Sequence, residues 1–195
     1  MTSRNSVRNR AVSSNCVFSR GLPLNYFRFW EILRKAKQDG QALGYFQKGH
    51  ATVESLSKTN PKDLGIRADL SEIKMNLSDL QLTVGHATAA LAGYKQALSI
   101  AESVSAANPA NAEWRIVLAR LNQKLGEYYA FQAAKKRQPA QRATDREEAL
   151  RWYRKSADLW NELQQRSTLG PDYADKPAEV AREIANCGAP GTLHH

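Results

Sequence analysis

Cysteine is scarce in this chain. Cys16 and Cys187 are the whole complement among 195 residues, and they stand near opposite ends. Two such thiols make no disulfide framework, so a reducing compartment, the cytoplasm, is expected. No run of about 18 apolar residues occurs, which argues against a transmembrane helix and a membrane partner. A secretory leader needs a continuous apolar core of roughly 7–15 residues, and none is found. The glycine-rich phosphate signatures are missing too: there is no Gly-x-Gly-x-x-Gly, no phosphate-binding loop and no kinase catalytic or metal-binding triplet. Histidine is limited to His50, His86, His194 and His195, and no metal or cofactor is expected from them. Acidic residues are absent before Glu31, while Arg4, Arg8, Arg10, Arg20 and Arg28 precede it. The net charge of +9 is therefore local. A second basic cluster is Lys135, Lys136, Arg137 and Arg142, and the remainder is near neutral. That distribution argues against nucleic acid along a basic face.

What is present is an internal repeat. The stretch Ala42–Leu80 returns 48 residues later at Ala90–Tyr128 without a gap. The identities include Ala42/Ala90, Leu43/Leu91, Glu54/Glu102, Asn60/Asn108, Pro61/Pro109, Arg67/Arg115, Leu70/Leu118 and Leu77/Leu125. The apolar phase is kept as well. A helix turns about 100° per residue, so positions i, i+4 and i+7 share a face. A small–aromatic–small triplet takes that spacing three times: Ala42, Phe46, Gly49; Ala90, Tyr94, Ala97; and Ala149, Tyr153, Ser156. Small residues admit a neighbouring helix, and the ring between them fills the gap. The other helix of each unit carries a stripe such as Ile66, Leu70, Ile73, Leu77 and Leu80. Neither stripe is covered within one helix, so units of two antiparallel helices must stack. Trp114, Trp152 and Trp160 fall on apolar faces and read as core.

Leu125-Gly126-x-x-Tyr129, followed by the Ala-x-x-x-aromatic-x-x-small triplet, resembles the tetratricopeptide repeat (TPR). The unit of 48 residues is longer than the family's roughly 34, and Lys74 and Asn122 stand where the family's opening tryptophan would. The longer unit and the closing segment Trp152–Cys187 resemble the C-terminal arrays of bacterial serine/threonine kinases. The resemblance covers about Gly40–Cys187. It implies an all-α, right-handed superhelical stack of about three helix-turn-helix units with a C-terminal capping helix.

The expected domains are a disordered basic tail at 1–23, a TPR-like helical repeat domain at 24–187, and a disordered tail at 188–195. The units fall at about 24–59, 60–107 and 108–166, with the cap at 176–187. Leu24–Gln38 is expected as a helix rich in aromatics, suited to packing on the tail, a second copy or an upstream domain. Asn60-Pro61 and Asn108-Pro109 each predict an N-cap followed by proline at the first helical position. Pro139 lies in an insertion, Lys135 to about Asp145, and Thr144-Asp145-Arg146-Glu147 predicts a capping box that restarts the helix. Val180, Ile184 and Cys187 share a face of the last helix.

No catalytic constellation is found, and the expected function is a non-catalytic scaffold for protein–protein interaction. The resemblance implies a groove that holds a peptide or helix segment. By phase, its residues are Glu72, Met75 and Asp79 in one unit and Arg120, Gln123 and Glu127 in the next. Their mixed charge favours a basic or mixed-charge ligand over a terminal carboxylate. The basic loop of Lys135, Lys136, Arg137 and Arg142 is either a solvated loop or a docking place for an acidic or phosphorylated segment. Two other readings are a regulatory self-association array derived from a bacterial kinase, and weak nucleic-acid binding through the tail and insertion.

Overall fold

The computed structural model describes residues 39–188. The expected aromatic helix Leu24–Gln38, the tail 1–23, and residues 189–195 lie outside the described residues, as does the self-association expected of that helix. All regular structure among the described residues is helical. Helix α1 spans Asp39–Thr59, α2 Leu64–Thr83, α3 Ala87–Ala107, α4 Ala112–Lys135, α5 Pro139–Gln165 and α6 Lys176–Gly188. A short 3-10 turn, Pro171–Tyr173, precedes α6. Each helix packs on the next in chain order, and α2 also touches α4. No helix among the described residues is long and apolar enough to cross a membrane.

The buried face of each helix is the one its spacing predicts. Phe46 and Gly49 are buried on α1, all of Ala90, Tyr94 and Ala97 on α3, and all of Ala149, Tyr153 and Ser156 on α5. Fully burying one such ring contributes about 2–3 kcal/mol. Opposite them lie Leu70, Ile73 and Leu80 of α2 and Leu121 and Leu125 of α4. Trp152 and Trp160 are core residues, and Trp114 is half-buried.

Contacts recur at equivalent places of successive units. Arg67 donates to Ser103 at 3.0 Å, and one unit later Arg115 pairs with Glu162. Ser71 Oγ donates to the Ala97 carbonyl at 2.8 Å. In the next unit the hydroxyl has changed sides: Ser156 Oγ donates to the Ala119 carbonyl at 2.9 Å. Each bond satisfies a hydroxyl that is buried and would otherwise be costly.

The helix starts differ from expectation in register. Asn60 and Asn108 are not N-caps, and Pro61 and Pro109 are not helical. Asp63 caps α2 by accepting from the Ile66 N–H, and Asn111 caps α4 by accepting from the Trp114 N–H, both at 3.0 Å. The Asn-Pro pairs instead make turns closed by Asp63 N–H to Asn60 O and Asn111 N–H to Asn108 O, both at 3.1 Å. Proline suits the second position of such a turn for the same reason it suits a first helical position, its fixed φ. Replacing Asp63 or Asn111 by alanine costs about 1 kcal/mol each in urea unfolding.

The capping box at Thr144 is not formed either. Helix α5 begins at Pro139, and Thr144 Oγ1 donates back to the Ala140 carbonyl at 3.1 Å within it. Glu147 is accordingly an exposed interior residue rather than a cap partner. The insertion is mostly helix, because proline at the first position and the alanines after it propagate one. Thr144→Ala therefore costs nothing in the same measurement, since such back-bonding does not favour a helix.

Two helix ends, those of α2 and α5, are closed by Schellman turns. Gly85, with φ +89°, follows α2, and the Gly85 and His86 N–H groups reach the Leu82 and Gln81 carbonyls at 3.1 and 2.7 Å. Ser167, with φ 54°, plays the same part after α5. The chain then folds Tyr173 over Trp160, with ring centroids 5.8 Å apart. Helix α6 places Val180 in the core and packs Ile184 and Cys187 against it.

Candidate interaction site

The six residues predicted as a binding row fall on α2 and α4; the structure pairs two of them directly and links two more through Lys124. Glu72 and Arg120 hold the same place in successive units and form an ion pair at 2.6 Å. Lys124 Nζ lies 3.6 Å from Asp79 Oδ2 and 2.9 Å from Glu127 Oε2. The Tyr94 hydroxyl of α3 donates to Asp79 Oδ1. Gln123 Nε2 donates to Glu179 Oε1 of α6 at 2.8 Å, and Lys176 holds the other oxygen of Glu179 at 2.6 Å. A polar row thus runs across α2, α4 and α6.

Two of the six are not surface groups. Met75 is completely buried and packs in the cluster of Tyr94, Leu121 and Leu125. Gln123 is 5% exposed, and Glu179 takes its amide. The ionic members remain accessible, with Glu72 at 30% and Arg120 at 23%. Lys124, Lys176, Glu179 and the Tyr94 hydroxyl were not singled out from the sequence. Tyr94 signals only core at that stage, and α6 lies outside the repeat that phased the others.

The electrostatics follow from partial burial. Burial pushes the Asp79 carboxyl up, against the pull of the Lys124 ammonium and the Tyr94 hydroxyl, while Glu127 adds to the rise. Burial works against the Lys124 ammonium, and Asp79 and Glu127 together outweigh it. Beside this row, burial and then the charges of Glu72 and Asp63 push Asp69 up to about 7. Burial followed by the Asp79 charge holds the Tyr94 phenol far above its ordinary value. Glu179 is held below the usual carboxylate range: burial opposes this, but Lys176 and Gln123 outweigh it.

The basic group is placed differently from a loop. Lys135 is the last residue of α4, Lys136 and Arg137 lie in the connection, and Arg142 is already inside α5. Lys135 Nζ sits 3.9 Å above the exposed Phe131 ring.

No family model, curated protein or solved structure matches the chain.

Proposed function

We propose that the chain is a non-catalytic scaffold of the tetratricopeptide type, holding a peptide or helix segment along the row that crosses α2, α4 and α6. The observation that carries this reading is the Glu72–Arg120 pair with its neighbours Lys124 and Glu127. These charges of both signs are fixed by one another yet stay partly exposed. A ligand with alternating charges can meet them without the scaffold reorganising, so the ordering cost falls on the ligand alone. The recurrent contacts between units support a stacked repeat, and a rigid array suits such presentation.

The test exchanges charges without losing the pair. Full-length chain carrying Glu72→Arg with Arg120→Glu keeps an ion pair between the same helices, and its melting temperature stays within about 4 °C of the parent. A protein captured by the parent chain and identified by mass spectrometry should lose about tenfold or more in affinity for the exchanged variant. Equal affinity for parent and variant would remove this row as the binding surface.

A further inference from the structure

The corner where α4 turns into α5 gathers five cations outside any ion pair. Lys135, Lys136, Arg137, Arg142 and Arg146 stand together without an ion-pair partner among the described residues, as do scattered cations such as Lys62, Lys95 and Arg154, whereas Arg115, Arg120, Lys124, Arg151, Arg166 and Lys176 each have one. Arg142 reaches only the Arg137 carbonyl, at 3.4 Å, and its Nε is buried with no partner. Of the nearby acids, Glu148 is held by Arg151 at 2.6 Å, one oxygen of Asp145 is buried without a hydrogen-bond partner, and Glu183 of α6 acts on Cys187 together with Arg146. Arg142 and Arg146 are one turn apart on α5 and, with Pro139 and Ala143, line a depression of about 280 Å³. Phe131, exposed beneath Lys135, lies close in the chain on the α4 side.

Two guanidinium groups one turn apart, neither held in an ion pair, suit a group with several acceptor oxygens and two negative charges. We propose that this corner binds a phosphorylated serine or threonine in a segment of a partner protein, with Arg142 and Arg146 on the phosphate and Lys136 and Arg137 on acidic residues beside it. The site is separate from the row on α2, α4 and α6. Its extent favours a single phosphate. A nucleic-acid site usually neutralises roughly 6–10 phosphates along a track, and here the cations end at one corner. A membrane surface asks for an apolar anchor face. The large exposed hydrophobic residues among those described are Leu56 and Phe131, on separate helices.

The experiment is fluorescence anisotropy with the full-length chain at physiological salt. The probe is a labelled phosphoserine peptide with aspartates on both sides, compared with the same peptide unphosphorylated. The phosphorylated peptide should bind about tenfold more tightly. Arg142→Gln with Arg146→Gln should erase that preference, and inorganic phosphate should compete with the parent complex. The amino-terminal arginines are common to all variants, so the difference isolates the corner. If the double variant loses helical signal, Lys136→Gln with Arg137→Gln decides, since both lie in the connection. A drop of about threefold for the phosphorylated peptide supports the site, and no change overturns it. Equal binding of the two peptides overturns the proposal. So does an unchanged preference in a folded double variant, or tighter binding of a single-stranded RNA oligomer or a phosphatidylserine vesicle than of the phosphopeptide.

Discussion

Gly126→Ala is expected to lower the unfolding free energy by about 2–3 kcal/mol, although alanine is the better helix former by about 1 kcal/mol. A Cβ at Gly126 would stand 2.6–2.9 Å from three atoms of the Tyr153 ring, closer than carbon atoms approach. The ring has nowhere to go. Tyr153 is 1% exposed, and Ala149 and Ser156 on either side of it are wholly buried. Either the ring leaves its rotamer or α4 and α5 separate, and separation would also stretch the Ser156 bond to the Ala119 carbonyl. Gly44→Ala is the control, because nothing lies within 4 Å of a Cβ there. It should gain up to about 1 kcal/mol. Urea unfolding followed by circular dichroism measures both, and a neutral or stabilising Gly126→Ala would show that the helices are not held at this distance.

A close approach is also made one unit earlier, by different residues. Ser78 takes the place of Gly126, and the glycine has moved across the interface to Gly93, where a Cβ would meet Ser78 Oγ at 2.1 Å. Sequence comparison within the chain shows Leu125-Gly126 against Leu77-Ser78, but it cannot show that the lost space is recovered on the facing helix. The stripes of Leu70, Ile73, Tyr94, Leu121 and Tyr153 were legible because burial on a helix depends on spacing alone, which the chain prints directly. Asn60 was misread as a cap because an Asn-Pro pair satisfies two geometries, a cap followed by a first helical residue and the start of a turn. Asp63 and Asn111, three residues on, resolve the choice only once both are seen to be Asx at the same repeat position. Thr144 to Glu147 carries the right side chains for a capping box. Whether they act as one depends on where the helix began, and Pro139 had already begun it. For the site, phase alone placed Glu72 opposite Arg120 in adjacent units, and their opposite charges were open to reading as a pair. The burial of Met75 and Gln123 was not, because it depends on α3 and α6 closing over α2 and α4.

Lys124→Met tests the polar row from within. Removing the ammonium leaves the Asp79 carboxylate three-quarters buried, with the Tyr94 hydroxyl as its remaining close partner. Breaking a fully buried pair costs roughly 3–5 kcal/mol. Here both side chains keep some water, at 24% and 32% exposure, so a loss of about 2 kcal/mol at neutral pH is expected. The pH dependence has a definite sign. Asp79 titrates above its ordinary value of 3.8 in the fold, chiefly through burial. The folded state therefore holds that proton more tightly than the unfolded chain does. The resulting stability is complete below the unfolded value and is lost as pH rises through the folded one. Without Lys124 the folded value rises further, so the deficit relative to the parent should be small near pH 3.5 and grow toward neutrality. Asp69, pushed up to about 7, tilts both proteins in the same direction and drops out of the difference. Adding Asp79→Asn to Lys124→Met removes the unpaired charge and should recover most of the loss, in a cycle of thermal or urea unfolding measured at each pH. If the double variant is no more stable than Lys124→Met at neutral pH, the cost lies in the packing of the lysine stem over α2 and not in the charge it neutralises.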